Sequence, residues 1–137
     1  AEHHDLVNQK AVEICRKYGG DSLVSGDIGP SGLLLEPLGP ATLGELENAF
    51  YRQAVVLEKA GVDLFSIETM IDIEEALLAV KAIRNISEKP IIANMTYSQT
   101  GKGYYTVMGN SLAECTQKFL DAGADIIGTN CNLDSAD

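Results

Sequence analysis

The sequence predicts an α/β protein whose strands form a parallel sheet. Helical and strand-like patterns alternate along the 137 residues, and this alternation is typical of parallel strands joined by right-handed crossovers. The stretches AGVDLFSIET (residues 60–69) and AGADIIGTNC (residues 122–131) share a helix-ending Ala-Gly, an Asp and an apolar strand. Such similarity between two βα units supports the same architecture.

Four helices are predicted from apolar residues at helical spacing. Thr42, Asp72 and Ser111 are each followed three residues later by glutamate, a pattern typical of helix N-termini. The predicted core faces are Val7, Ala11, Ile14, Cys15 and Tyr18 on the first helix, Leu46, Phe50, Ala54 and Leu57 on the second, Ile73, Ala76, Leu77, Val80 and Ile83 on the third, and Leu112, Cys115 and Phe119 on the fourth.

Four short apolar runs are predicted to be strands: SLVSGD, VDLFSIE, KPIIANMT and ADIIGTN. Two long segments rich in glycine or proline follow the first and third of them, IGPSGLLLEPLGP and YSQTGKGYYTVMGN, and both are predicted to be loops. The connections from helix to strand are short by comparison. Because both long loops follow strands, we expect them on the carboxyl side of the sheet.

Polar side chains stand where the predicted strands end. The strands finish in Asp27, in Glu68, in Asn94, and in Asn130 with Cys131. Parallel α/β folds place their functional sites at this carboxyl edge. We therefore expect these five residues to form the site.

The spacing of the elements does not choose between two α/β folds. A flavodoxin-like open sheet of four or five strands fits the chain length, whereas a (β/α)8 barrel needs roughly 250 residues. Four strands would be half of such a barrel. Length alone favours the smaller, open fold.

Charge and cysteine content exclude several classes of partner. The formal net charge of −10 would repel phosphates, so we expect neither nucleic acid nor an anionic membrane as a partner. The three cysteines are widely spaced and odd in number. This indicates a reducing, cytoplasmic setting rather than a disulfide scaffold.

Several motifs together resemble the homocysteine S-methyltransferase family. They are SLVSGDIGPSG, PLGPAT, GVDLFSIETMIDIEEALLAVKA, IIANMTYSQTGKGYYTVMGN and GADIIGTNC, in the order and spacing of that family. The family includes the homocysteine-binding module of cobalamin-dependent methionine synthase and betaine–homocysteine methyltransferase. The resemblance implies a partial (β/α)8 barrel in which residues 1–137 span the third to sixth strands, as the central segment of one homocysteine-binding domain.

The resemblance also implies a Zn²⁺ site made by three cysteines. Cys131, in Gly128-Thr129-Asn130-Cys131, matches the first of them, and the other two belong to a Gly-Gly-Cys-Cys stretch that this sequence lacks. One thiolate cannot hold tetrahedral zinc, so we expect these residues alone to bind zinc poorly and to be inactive. No residue is assigned a direct catalytic role.

Substrate contacts are expected from four residues at the carboxyl edge. The resemblance suggests that Glu68 contacts the ammonium group of homocysteine; alternatively, it pairs with backbone groups or helix caps. Asp27 binds substrate or holds the IGPSG loop, and Asn94 and Asn130 orient their neighbours. Cys15 and Cys115 are expected to pack as small apolar residues, and Asp72 to cap its helix.

The expected function is methyl transfer to a zinc-bound homocysteine thiolate, the reaction that makes methionine. The motifs GDIGPSG and IETMIDIEEALLAVKA favour the cobalamin-dependent methionine synthase type, with methylcobalamin and folate acting through other modules. Two alternatives stay open: a related zinc methyltransferase with another donor or thiol acceptor, and a small open-sheet regulatory module without catalysis.

Overall fold

The computed structural model describes residues 2–132, which form four helices and six strands. The helices are α1 (Glu2–Tyr18), α2 (Leu43–Ala60), α3 (Ile73–Arg84) and α4 (Leu112–Ala122). The strands are β1 (Ser25–Ile28), β2 (Leu64–Met70), β3 (Ile91–Met95), β4 (Ser98–Thr100), β5 (Gly103–Tyr105) and β6 (Ile126–Thr129). Within residues 2–132, no helix is both long enough and apolar enough to cross a membrane.

The main sheet is parallel, and its strands follow the order of the chain. The order is β1-β2-β3-β6, with each pair parallel. In a doubly wound open sheet the order reverses at a switch point; here it does not reverse. Right-handed crossovers without reversal place the connecting helices on one face, as in a barrel wall. Consistent with this, α1 packs against α2, α2 against α3, and α3 against α4.

One face of the sheet forms the core with the helices. Phe65, Ile67, Ala93 and Met95 are fully buried on that face. Gly26 belongs to it as well, because a Cβ there would lie 3.2 Å from Val62 of the α2–β2 connection. Alternate residues point to the opposite face, where Ile126 is 54% exposed.

The internal similarity between residues 60–69 and 122–131 has a structural basis. The Asp125 N–H donates to the Ile91 carbonyl at 3.0 Å, and the Asp125 carboxylate accepts the Ile91 N–H at 2.8 Å. Arg84 binds the same carboxylate and the Gly123 carbonyl. In residues 60–69, Asp63 makes the same two bonds with the backbone of Val24. Arg16 binds the Asp63 carboxylate and the Gly61 carbonyl. Each aspartate thus fastens the start of its own strand to the start of a neighbouring strand.

The core faces predicted for α2 and α3 are confirmed, whereas the one predicted for α1 is wrong. Helix α1 buries Val12, and the predicted Val7, Ile14 and Tyr18 are 65%, 57% and 75% exposed. Cys15, expected to pack as a small apolar residue, is exposed. The periodic pattern shows that a helix has an apolar stripe but does not show what covers it, and α1 packs on α2 through a different side.

Helix α4 is anchored by two of its three predicted core residues. Cys115 and Phe119 are fully buried, but Leu112 is 42% exposed. Burial raises the pKa of the Cys115 thiol, and it also raises the pKa of Tyr97, whose hydroxyl is hydrogen-bonded to Cys115. Cys115 is therefore a buried packing residue, as predicted.

The second long loop contains a hairpin that the sequence did not predict. Strands β4 and β5 pair antiparallel, with Ser98 opposite Tyr105. The strands have three residues each, too short for a clear alternating pattern. The first long loop forms no strand pair beyond an isolated bridge between Leu35 and Ala41. Both segments lie on the carboxyl side of the sheet, as predicted.

Candidate functional site

Side chains from all four main strands meet at the carboxyl edge of the sheet. Asp27 lies near the end of β1, Glu68 on β2, Asn94 on β3, and Asn130 and Cys131 directly after β6. Asp27 pairs in register with Ser66, and Asn94 with Gly128. The structure thus places every predicted site residue at the expected edge.

A β-bulge on β2 redirects the chain at the centre of this edge. Ile67 pairs with Ala93 and Met70 pairs with Met95, so β2 carries one more residue than β3 over this stretch. Thr69 within the bulge has φ 60, a value that is unusual for a β-branched residue. Bulges of this kind re-aim side chains, often beside functional sites.

Asn130 connects β6 to the bulge across the intervening strand. Its Oδ1 accepts the Thr69 N–H at 3.0 Å, and its Nδ2 donates to Glu68 Oε2 at 3.3 Å. The other oxygen of Glu68 accepts the Ser66 hydroxyl at 2.7 Å. Glu68 therefore pairs with polar side chains rather than with a helix cap, and Asn130 positions it.

Asp27 and Glu68 form a pair of neighbouring carboxylates. Partial burial, followed by repulsion from the Glu68 carboxylate, raises the pKa of Asp27 above its ordinary value. The Ile28 N–H acts in the opposite direction and lowers it. A partly buried carboxyl beside a second carboxylate provides a favourable place for a positively charged group.

The Asn94 side chain on β3 contacts both neighbouring strands, and a glycine on β6 makes room for it. Its Nδ2 donates to the Ile67 carbonyl at 3.4 Å. A Cβ on Gly128 would come within 2.4 Å of Asn94 Oδ1, which is closer than non-bonded atoms allow. Gly128 in the Gly-x-Asn-Cys stretch thus leaves the space that the Asn94 side chain occupies.

Cys131 presents an exposed thiol next to the bulge. Its φ is 65, and its Sγ lies 3.2 Å from Thr69 Oγ1. Asn132 holds the following segment, because its Nδ2 donates to the Tyr97 carbonyl at 2.7 Å and to Ser98 Oγ at 2.9 Å. The thiol is therefore held at a defined place at the end of β6.

Zinc coordination needs more donors than the described residues assemble. Within residues 2–132, no three His, Cys, Asp or Glu side chains cluster so as to hold a metal ion. Cys131 offers one sulfur of the type that zinc prefers. A zinc site that includes Cys131 would therefore need further ligands besides the described residues around it.

Four residues of the network were not identified from the sequence: Ser66, Thr69, Thr96 and Asn132. Ser66 had a usable signal, since it lies two residues before Glu68 and therefore on the same face of a strand. Thr96 Oγ1 donates to the Asn130 carbonyl at 3.3 Å. The partners of Thr69, Thr96 and Asn132 are more than 30 residues away in the chain, so local patterns cannot reveal them.

Comparison with known proteins identifies the family. The model of the family described as "Homocysteine S-methyltransferase" matches residues 1–136. The chain belongs to the homocysteine S-methyltransferase family. The family resemblance drawn from the sequence motifs is therefore confirmed.

Curated relatives of this family member include betaine–homocysteine S-methyltransferases of vertebrates. The chain is 34% identical over 130 residues to betaine–homocysteine S-methyltransferase 1 of Rattus norvegicus and 32% identical to that of Bos taurus. In both cases the match covers 93% of this chain and 30% of the relative. The chain thus spans about a third of the length of these relatives.

Solved structures support the fold of this family member. The homocysteine methyltransferase MmuM of Escherichia coli, in its apo form, matches with a TM-score of 0.75 and 21% identity, over 95% of this chain and 50% of that one. The carboxyl transferase domain of Rhizobium etli pyruvate carboxylase matches with a TM-score of 0.58 and 21% identity, over 88% of this chain. At these identities the similarity concerns the fold alone.

Proposed function

We propose that residues 1–137 contain four consecutive strands, about the third to the sixth, with their helices, from the middle of a homocysteine-binding (β/α)8 barrel. The strand order β1-β2-β3-β6 has no reversal, and this supports part of a barrel rather than an open sheet. The chain matches 50% of the length of the E. coli methyltransferase, which supports four of the eight strands of a barrel. In this arrangement the face that carries Asp27 and Glu68 lines the barrel interior.

Homocysteine is the proposed substrate, and its ammonium group is proposed to bind between Asp27 and Glu68. The observation that carries this proposal is the adjacency of the two carboxylates: Asp27 pairs in register with Ser66, whose hydroxyl donates to Glu68 at 2.7 Å. An ammonium ion there would offset their repulsion. Asn130 contacts Glu68 and directly precedes Cys131, so amino group and sulfur would be held at neighbouring positions.

Cys131 is proposed as one of three cysteine ligands of Zn²⁺, with the other two outside this sequence. Its exposed sulfur at a strand end suits a ligand of an open catalytic site. Bound zinc would keep a coordinated homocysteine thiol deprotonated at neutral pH. The residues described above would contribute by holding Cys131 and by fixing the amino acid next to it.

Two classes of methyl donor are proposed, a cobalamin-linked donor and betaine. The sequence motifs favour a cobalamin-linked donor, whereas the names of the curated relatives indicate betaine. Because the match covers 30% of those relatives, donor contacts are expected largely from other segments. Methyl-transfer assays of the complete protein with betaine and with methylcobalamin would separate the two donors, and assays with alternative thiols would test the acceptor.

Replacement of Cys131 tests the metal assignment directly. In the complete protein, Cys131→Ala is expected to abolish zinc retention after dialysis, as measured by atomic absorption. Cys15→Ala is the matched control, because Cys15 is also exposed but lies on α1 away from the carboxyl edge. Full zinc content in Cys131→Ala would contradict the assignment.

A further inference from the structure

Helix α3 begins differently from the two other helices that carry a glutamate three residues after the N-cap. At α2 and α4 the pattern forms a reciprocal capping box, in which Glu45 and Glu114 return to the N–H groups of Thr42 and Ser111 at 3.0 and 2.8 Å. At α3 the N-cap Asp72 accepts the Glu74 N–H instead. Glu75 is thereby free of the capping role.

The Glu75 side chain is buried and reaches the loop after β1. It is 3% exposed, whereas Glu45 and Glu114 lie on the surface. Its Oε1 accepts the backbone N–H of Ser31 at 2.7 Å. Burial of a carboxylate is costly unless it is hydrogen-bonded. The bond from Ser31 therefore stabilises the buried Glu75 side chain, and it is not part of a helix cap.

The contact joins the loop after β1 to the first turn of α3, the helix that follows β2. Ser31 lies four residues after Asp27, and Glu75 lies seven residues after Glu68. Gly32, which follows Ser31, has φ +77, and a glycine there leaves this part of the loop free to take several conformations. A hydrogen bond from its centre to a buried acceptor restricts that freedom.

We infer that Glu75 is a positioning residue that holds the loop after β1 against α3 and thereby keeps Asp27 in place beside Glu68. Asp27 pairs in register with Ser66, whose hydroxyl donates to Glu68 at 2.7 Å, so the two carboxylates are neighbours at this edge. The Ser31–Glu75 bond opposes their separation just beyond both strand ends. This inference rests on the proposed function for its substrate, but its structural part can be measured independently.

The experiment compares Glu75→Met with Glu75→Gln in the complete protein. Met has similar length but offers no oxygen, whereas the Gln carbonyl can still accept the Ser31 N–H. Hydrogen exchange of the Ser31 amide is expected to accelerate about tenfold or more in Glu75→Met, the order expected when a hydrogen bond to a charged group is lost. The KM for homocysteine is expected to rise several-fold with kcat little changed, and Glu75→Gln is expected to stay near wild type in both measurements.

Glu114→Met is the matched control, since it removes a capping-box glutamate from α4 without touching the Ser31 loop. It is expected to change neither Ser31 exchange nor the KM. If Glu75→Met does not fold, Ser31→Pro removes the donated N–H at an exposed position, and its readout is the KM for homocysteine, which is expected to rise several-fold. Ser31→Ala, which keeps that N–H, is its control, and an unchanged KM in Ser31→Pro would overturn the inference.

Two results in Glu75→Met would also overturn the inference: unchanged Ser31 exchange, or accelerated exchange with an unchanged KM. Asp27→Asn is measured in parallel to separate the two proposals. If Asp27→Asn leaves homocysteine binding intact, the proposed ammonium site is wrong. In that case the exchange measurement still decides whether Glu75 holds the loop, and the functional part of the inference is overturned with the site.

Discussion

Thr69 Oγ1 lies 3.2 Å from Cys131 Sγ, and these two residues have left-handed backbone conformations with φ 60 and φ 65. Within residues 2–132, no other non-glycine residue has positive φ. Strained conformations persist where the surrounding structure enforces them, and they cluster at functional sites. The contact brings together β2 and β6, which are separated by β3 in the sheet.

Thr69→Val is expected to weaken zinc retention of the complete protein while leaving its fold intact. Valine keeps the β-branched shape but has no hydroxyl to contact the Cys131 sulfur. Loss of an outer hydrogen bond to a metal ligand costs about 10- to 100-fold in metal affinity. Competition with a chelator measures this loss. Thr69→Ser keeps the hydroxyl and is expected to retain zinc; equal retention in both variants would refute a role for the hydroxyl.

Gly128→Ala is expected to destabilise the protein by about 1 kcal/mol, the net value of one hydrogen bond. The new Cβ would lie 2.4 Å from Asn94 Oδ1, so Asn94 must move and lose its bond to Ile67. Urea denaturation measures the effect. Gly44→Ala in α2 is the control, because a Cβ there meets no atom within 4 Å; it is expected to be neutral or stabilising.

Asp27→Asn is expected to stabilise the unliganded protein at neutral pH and to weaken homocysteine binding. Burial and the Glu68 charge raise the folded-state pKa of Asp27, so the folded state binds the proton more tightly than the unfolded state. Stability is therefore lost as pH rises from below the ordinary pKa of 3.8 through the raised value. The stabilisation should vanish at pH 3 in urea denaturation, and an equal difference at pH 3 and pH 7 would show that charge is not its cause.

Asp125→Ala is expected to lower the free energy of unfolding at pH 7 by about 1 kcal/mol, the net value of a typical hydrogen bond. The Ile91 N–H, followed by Arg84, holds the pKa of Asp125 below its ordinary value. Its stabilising contribution is therefore present above the ordinary pKa of 3.8 and is lost as pH falls through the lowered value. The wild type and the variant should converge in strongly acidic solution. Asp121→Ala, which affects an exposed bond to Gln117, should show no comparable loss.

A polypeptide of residues 1–137 alone is expected to self-associate through the sheet. Strands β1 and β6 are the edges of the sheet, and unpaired edges promote pairing with other chains. Ile126→Lys, on the edge strand at a position that is 54% exposed, is expected to reduce association in gel filtration. Leu120→Lys on α4, at a position that is 52% exposed, is the control. A compact monomer for the unmodified polypeptide would favour the open-sheet module instead.

The amino-acid sequence by itself determined the order of the four helices and of the four strands of the main sheet, the N-cap residues of α2, α3 and α4, and the edge that carries the site. These features depend on neighbours in the chain: Thr42 and Ser111 find their glutamates three residues away, and Gly61 and Gly123 end helices through their own left-handed conformations. Asp27, Glu68 and Cys131 could be located because each follows its own apolar run.

The tertiary structure decided what depends on distant partners. It set the strand order without reversal, which spacing alone could not establish because an open sheet and a barrel wall use the same βα units. It also selected the buried side of α1 and placed Thr69 against Cys131. Glu75 shows the difference most clearly: its local pattern matches that of Glu45, but its partner lies 44 residues away, and only folding brings the two together.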